Sequence, residues 1–178
     1  MSYHIVIPAR MASERLPGKP LARIGTSTLI ERVWLRAQAA SASSVVIATD
    51  SEEVLAVARS FGADALLTSA RHLSGSDRIG ECADLRGWND GELIVNLQGD
   101  EPLMPAGCLD QVAGLLAAHA EADVASLYDV FADEAAAGDP NAVKVVTDSS
   151  GRAPVSYTHL TLPTSAVAWG CGGGGGGE

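Results

Sequence analysis

Hydrophobic and polar positions along this chain follow two alternating periods. Short, nearly continuous apolar runs at residues 3–7, 45–48, 65–67 and 93–95 predict strands buried on both faces. Between them, Leu29, Ile30, Val33, Trp34 and Ala37 recur at three- and four-residue spacing, the signature of an amphipathic helix. Val54, Leu55, Ala58 and Phe61 form a second such stripe, which Gly62 closes as a C′ residue. Further helices are predicted over 76–86, with Ser76 as N-cap and Asp77 in its first turn, and over 106–118. Two more strands are predicted at 124–128 and 142–147. Strands alternating with helices imply βαβ crossovers and a mostly parallel sheet with helices on both faces. In such sheets ligands bind beyond the carboxyl ends of the strands, so the loops after Ile7, Ala48, Leu67 and Leu97 are where chemistry is expected.

Composition narrows the picture. With 178 residues, 47% of them hydrophobic, the chain can bury a core without disulfides or metal staples. Three scattered cysteines, Cys82, Cys108 and Cys171, fit a reducing compartment better than a disulfide framework. No apolar run approaches the roughly 20 residues of a bilayer span, and no signal-peptide pattern opens the chain; the expectation is a cytoplasmic protein with no membrane partner. A net charge of −10 argues against nucleic acid as a partner.

The few cations are concentrated. Arg10, Arg15 and Lys19 fall in the stretch IPARMASERLPGKPL at 7–21, and Lys19 is one of two lysines in the chain. Pro17 and Gly18 bend this loop, and the small residues Ala9, Ala12 and Ser13 let backbone N–H groups approach a ligand. Fixed cations with free amides at a strand end suit a triphosphate. Asp100, beyond a glycine after the strand at 93–95, is placed where a carboxylate can reach Mg²⁺ on phosphate oxygens. His4, His72, His119 and His159 form no triad with serine or cysteine. His4 reads as a packed or surface residue, and Trp34 and Trp88 as core or edge packing.

The run IPAR…RLPGKPL resembles the signature of the CMP-KDO synthetases, which activate the sugar acid KDO (3-deoxy-D-manno-octulosonate) with CTP. RHLSGSDRIGE at 71–81 and NLQGDEPLMP at 96–105 resemble two further segments of that family in the same order, and DPNAVKVV at 139–146 a fourth. Asp77 stands where the family usually has glutamate. The resemblance implies a Rossmann-like nucleotidyltransferase domain over residues 1–153. It also implies CTP and KDO as substrates, Mg²⁺ as cofactor and a homodimer for full-length members. Carried onto this sequence, it assigns Arg10, Lys19 and Asp100 to catalysis, with Asp100 as metal ligand. Ala9, Arg10, Ser13, Arg15, Lys19, Ser74, Arg78 and Gln98 would contact the nucleotide, and Arg78 is the expected ligand contact of its helix. His72 is either solvated or near the nucleotide loop. Lys144 is either structural or a surface charge. Family members are substantially longer, so a fragment that binds CTP without turnover is the competing expectation, followed by a cytidylyltransferase for a related acid sugar.

Residues 154–178 break the pattern, with no amphipathic period and six consecutive glycines at 172–177. Such a segment buries too little surface to offset its ordering entropy. SYTHLTLPT at 156–164 also resembles translated sequencing-adapter sequence. The expectation is a non-native or disordered tail outside the fold.

Overall fold

The computed structural model describes residues 2–11, 17–130, 142–153, 155–157 and 166–170, which fall into two compact units, residues 1–113 and 114–178. The first is built on a four-stranded parallel sheet: β1 (Tyr3–Ala9), β4 (Ser44–Thr49), β5 (Asp64–Leu67) and β6 (Leu93–Asn96), in the order β5-β4-β1-β6. A small antiparallel hairpin, β2 (Arg23–Ile24) with β3 (Ser27–Thr28), lies between β1 and the first helix. Helices α1 (Leu29–Gln38), α2 (Glu52–Ser60), α3 (Gly75–Arg86) and α4 (Ala106–Ala118) follow in chain order.

The period-two side-chain alternation of β1 explains how the sheet is covered on both faces. Tyr3, Ile5, Ile7 and Ala9 pack with Leu29, Ile30 and Val33 of α1, Val54 and Leu55 of α2 and Leu109 of α4. Val6, on the opposite face, packs with Val46, Ala48 and Cys82 of α3. Full burial of an aliphatic side chain contributes about 1.5–3 kcal/mol, so a four-strand sheet buried on both sides needs no disulfide. Desolvation pushes the Cys82 thiol up to about 11, and that cysteine acts here as a small core residue. Tyr3 Oη donates to Asp110 Oδ1 at 2.6 Å, tying the start of β1 to α4; burial and that carboxylate raise the Tyr3 phenol well above its ordinary range.

Local signals set the helix ends. Thr28 caps α1 in a capping box with Glu31, and Ser51 caps α2 by accepting from Val54 N. Gly62, at φ +86°, lies past the end of α2, as the stripe predicted. The cap of α3 differs from the sequence expectation: Ser74, not Ser76, is the N-cap, and Asp77 completes its box. Asp77 is three residues after Ser74, the spacing such a box requires. Trp34 packs against Phe61 at 5.3 Å. His4 is a packed residue, stacked on Trp88 at 4.1 Å with Nδ1 at 2.8 Å from Ser44 Oγ.

In the second unit β7 (Ala125–Tyr128), β8 (Lys144–Val146), β9 (Arg152–Ala153), β10 (Val155–Tyr157) and β11 (Ala166–Gly170) form two small sheets, β10-β8 and β7-β11-β9. Two of these strands, at residues 155–157 and 166–170, lie in the segment 154–178 expected from the sequence to be a non-native or disordered tail. Their backbones find partners in β8, β7 and β9, which offsets ordering entropy that composition alone left unopposed. The glycine run at 172–177 lies outside the described residues. Lys144 is 9% exposed, so it is not a surface charge.

Candidate functional site

The parallel register brings the carboxyl ends of β1, β4 and β6 to one edge. Ile5 lies opposite Val45 on one side and Val95 on the other, so the segments after Ala9, Thr49 and Asn96 emerge together. At that edge a cleft of about 230 Å³ is lined by Pro8, Ala9, Arg10, Lys19, Pro20, Gly75, Gln98, Gly99 and Asp100.

Each wall has a local cause. Gly18 adopts φ +71° just before the 3-10 turn Lys19–Leu21, a backbone conformation that favours glycine. Its N–H donates to Met11 O at 3.2 Å, closing the loop that carries Arg10 at one end and Lys19 at the other. Gly99 is held by contact: a Cβ there would lie 2.8 Å from Pro8 O, so only glycine lets the strand ends of β1 and β6 approach this closely. Gly75 is the first residue of α3. The Ser74–Asp77 box uses the Asp77 N–H, which leaves the N–H groups at 75 and 76 to meet an anion at the positive end of the helix dipole.

Lys19 Nζ donates to Asp100 Oδ2 at 2.5 Å, with the two side chains 36% and 46% exposed. Gln98 is exposed, and its Nε2 donates to Asn96 Oδ1 at 3.1 Å. Ala9, Arg10, Lys19, Gln98 and Asp100 are thus gathered in one cleft from residues as much as 91 positions apart.

Ser13 and Arg15 lie outside the described residues. Ser74 spends its hydroxyl on the α3 cap. Arg78, the expected ligand contact of its helix, is not among the cleft-lining residues: its side chain is 0% exposed, and Nη2 donates to Asp50 Oδ2 at 2.7 Å while Nη1 bonds the Thr68 hydroxyl. A guanidinium one turn into α3 faces the sheet rather than the cleft. His72 Nε2 lies 2.5 Å from Glu81 Oε2, which also accepts from Ser69 N at 2.7 Å; these contacts hold the Glu81 carboxyl below its ordinary range. Sequence reasoning missed Pro8, Pro20, Gly75 and Gly99. The glycines at strand and helix ends were the available signal.

A cleft carrying two cations, a helix amino end, one carboxylate and one amide can hold a phosphate chain beside a polar heterocycle. The sequence profile described as Cytidylyltransferase matches residues 4–165. The chain belongs to the cytidylyltransferase family. That match runs past residue 153, the end of the domain expected from the sequence.

This cytidylyltransferase chain is 46% identical over 168 residues to the 3-deoxy-manno-octulosonate cytidylyltransferase of Pseudomonas fluorescens (strain SBW25), covering 94% of the chain and 66% of that protein. It is 44% identical over 170 residues to the 3-deoxy-manno-octulosonate cytidylyltransferase 1 of Hydrogenovibrio crunogenus, covering 96% and 65%. The chain therefore spans just under two thirds of the length of these relatives. Among solved structures, a CMP:2-keto-3-deoxy-manno-octonic acid synthetase complexed with CTP superposes with TM-score 0.81 at 33% identity, covering 88% of this chain and 64% of that one. A cytidylyltransferase from Leptospira borgpetersenii gives TM-score 0.52 at 26% identity, covering 64% and 48%.

Proposed function

We propose that this chain is the nucleotide-binding part of a 3-deoxy-manno-octulosonate cytidylyltransferase, which transfers CMP from CTP to KDO and releases pyrophosphate. The observation that carries this reading is the meeting of Lys19 and Asp100 in the cleft that Arg10 and Gln98 also line. The relatives at 46% and 44% identity support the choice of substrates.

The residues take these roles. Arg10 and Lys19 hold the triphosphate and the charge that builds on departing pyrophosphate. The amino end of α3 at Gly75 adds neutral donors to the same oxygens. Ser13 and Arg15 join them on the strength of the family resemblance. Gln98 presents an amide, donor and acceptor together, to the cytosine edge. The anomeric hydroxyl oxygen of KDO attacks the α-phosphorus, the bond from that phosphorus to the bridging oxygen breaks, pyrophosphate leaves with the electron pair, and the hydroxyl proton passes to solvent. Most of the rate comes from holding these groups in line.

Asp100 fits a hard divalent cation, being a partly exposed carboxylate on the cleft wall. No group of three or more His, Cys, Asp or Glu residues positioned to hold a metal occurs among the described residues. A single carboxylate suits Mg²⁺, which takes one or two protein carboxylates and fills its shell with water and substrate phosphates. Bound there, Mg²⁺ would neutralise phosphate charge. The cytoplasm as site of reaction and a homodimer as the assembled enzyme complete the proposal.

Thermal melting tests nucleotide binding. CTP with Mg²⁺ at 100 times its Kd adds about 2.7 kcal/mol to the folded state, a rise in Tm of roughly 5–10 °C for a chain of this size. A melt of folded protein that CTP and Mg²⁺ leave unmoved overturns the reading. Because the chain spans 66% of its curated relative, a second reading is that these residues bind CTP without transferring it. Pyrophosphate release with CTP, Mg²⁺ and KDO separates the two.

A further inference from the structure

We infer that Asp50, which the nucleotide reading leaves without a role, is a positioning residue that holds the phosphate-binding loop in register with α3. The inference rests on the cleft being a triphosphate site.

Asp50 follows β4 directly, at the same sheet edge as the cleft, but does not line it. Its carboxylate is 13% exposed and joins two elements. Oδ2 accepts from Arg78 Nη2 of α3 at 2.7 Å. Oδ1 accepts from the backbone N–H of Met11 at 3.4 Å. Met11 immediately follows Arg10, and its carbonyl accepts from Gly18 N, which immediately precedes Lys19. Both main-chain groups of Met11 are thereby committed, one to Asp50 and one to closing the loop. The two cations of the cleft stand next to the two residues of that closure.

On the other side, Arg78 anchors the carboxylate. It is 0% exposed, and Nη1 bonds Thr68 Oγ1, which donates to Thr49 O at 3.0 Å. Its Nε is buried with no hydrogen-bond partner among the described residues. A buried guanidinium is tolerated where its charge is paired and its donors are fixed, and Asp50 supplies that pairing. The same helix begins at Gly75 on the cleft wall. One buried ion pair thus relates the helix amino end to the loop bearing Arg10 and Lys19, and in enzymes a misplacement of about 1 Å can cost on the order of a hundredfold in rate.

The test compares Asp50→Asn with Asp110→Asn, a variant at the opposite end of β1 that removes the carboxylate charge accepting from Tyr3 and Ser41. Binding of CTP with Mg²⁺ and of cytidine alone is titrated at a temperature where circular dichroism shows both variants folded. The expected result for Asp50→Asn is a loss of CTP affinity of about tenfold or more with cytidine affinity kept, because only phosphate contacts are disturbed; Asp110→Asn keeps both. Equal CTP affinity in wild type and Asp50→Asn overturns the inference, as does an equal loss for CTP and cytidine. If the wild type itself fails to bind CTP, the nucleotide reading fails instead. Hydrogen exchange at the Met11 amide of the wild type decides the network without any variant: slow exchange is expected, and exchange at the rate of an open loop overturns it.

Discussion

Lys19 and Asp100, 81 positions apart, meet at 2.5 Å in the cleft. Each is assigned to a partner of the opposite charge, the ammonium to phosphate and the carboxylate to Mg²⁺. In the cleft they satisfy one another. On the proposed assignment, nucleotide and metal would replace this ion pair, and each partner's release would favour the other's new contact.

Removing the cation from this pair weakens nucleotide binding. Lys19→Ala is expected to reduce affinity for CTP with Mg²⁺ roughly tenfold to a hundredfold, since a hydrogen bond to a charged group contributes about 1.5–3 kcal/mol. Arg23→Ala, at an exposed residue whose Nη1 bonds Thr26 O, is the comparison and leaves affinity unchanged. Calorimetric titration of both variants measures the difference, and equal losses contradict the assignment of Lys19.

Removing the anion has a different signature. In Asp100→Asn the Lys19 ammonium has no competing carboxylate, so CTP without metal binds at least as tightly as to wild type. The added affinity that Mg²⁺ brings is reduced, because a neutral amide is a poorer ligand for a hard cation. Titrations with and without Mg²⁺ check both halves. An undiminished Mg²⁺ effect places the metal elsewhere.

Two glycine-to-alanine substitutions are expected to shift stability in opposite directions. Gly99→Ala sets a Cβ 2.8 Å from Pro8 O, and relieving that overlap costs about 1–3 kcal/mol. The cleft wall at Pro8 and Ala9 moves with it, so CTP affinity falls as well. Gly80→Ala, in the exposed interior of α3 with nothing within 4 Å of the new Cβ, raises stability by about 0.5–1 kcal/mol through helix propensity. Denaturant unfolding of the two variants reads both signs.

Acid weakens the start of α3. Bonds from the Ser74 hydroxyl and backbone hold the Asp77 carboxyl below its ordinary value of 3.8. Ser69 N and His72 hold Glu81 below 4.5. A carboxyl with a depressed folded pKa stabilises fully above its unfolded value, and that stability is lost as pH falls through the folded one. Stability is therefore expected to decline below about pH 4.5, as the Glu81 contacts and the α3 cap are lost. Chemical denaturation between neutral pH and pH 3 measures the slope, which Glu81→Gln and Asp77→Asn each flatten. An unchanged slope in both variants removes these carboxylates from the acid response.

Much of the site was legible in the chain. Alternation at β1 and the three- and four-residue stripes of α1 and α2 follow from local periodicity, which burial in a layered sheet reads directly. Arg10, Gln98 and Asp100 sit just past strand ends, and strand ends in a parallel sheet share one edge; Lys19 joins them from the 3-10 turn that follows Gly18. The Ser74–Asp77 box was written in the spacing of its two residues, although the sequence reading began the helix two residues later. Extended segments such as 155–157 and 166–170 were not legible, because a strand is stabilised by partners remote in sequence and composition alone carries no trace of them.

By itself the sequence determined which residues have the chemistry for a triphosphate and the order in which strands and helices present them. It carried no information about the direction a side chain takes from its helix or how closely two backbones approach. Arg78 reads as a cation one turn into α3, available to any anion; only the packing of α3 on the sheet turned it inward to Asp50. Gly99 reads as a turn residue, and only the register of β6 against β1 made it the single side chain small enough to lie against Pro8 O. The physical reason is the same in both cases. Propensity and charge belong to a residue, whereas burial and contact belong to pairs that the folded sheet brings together.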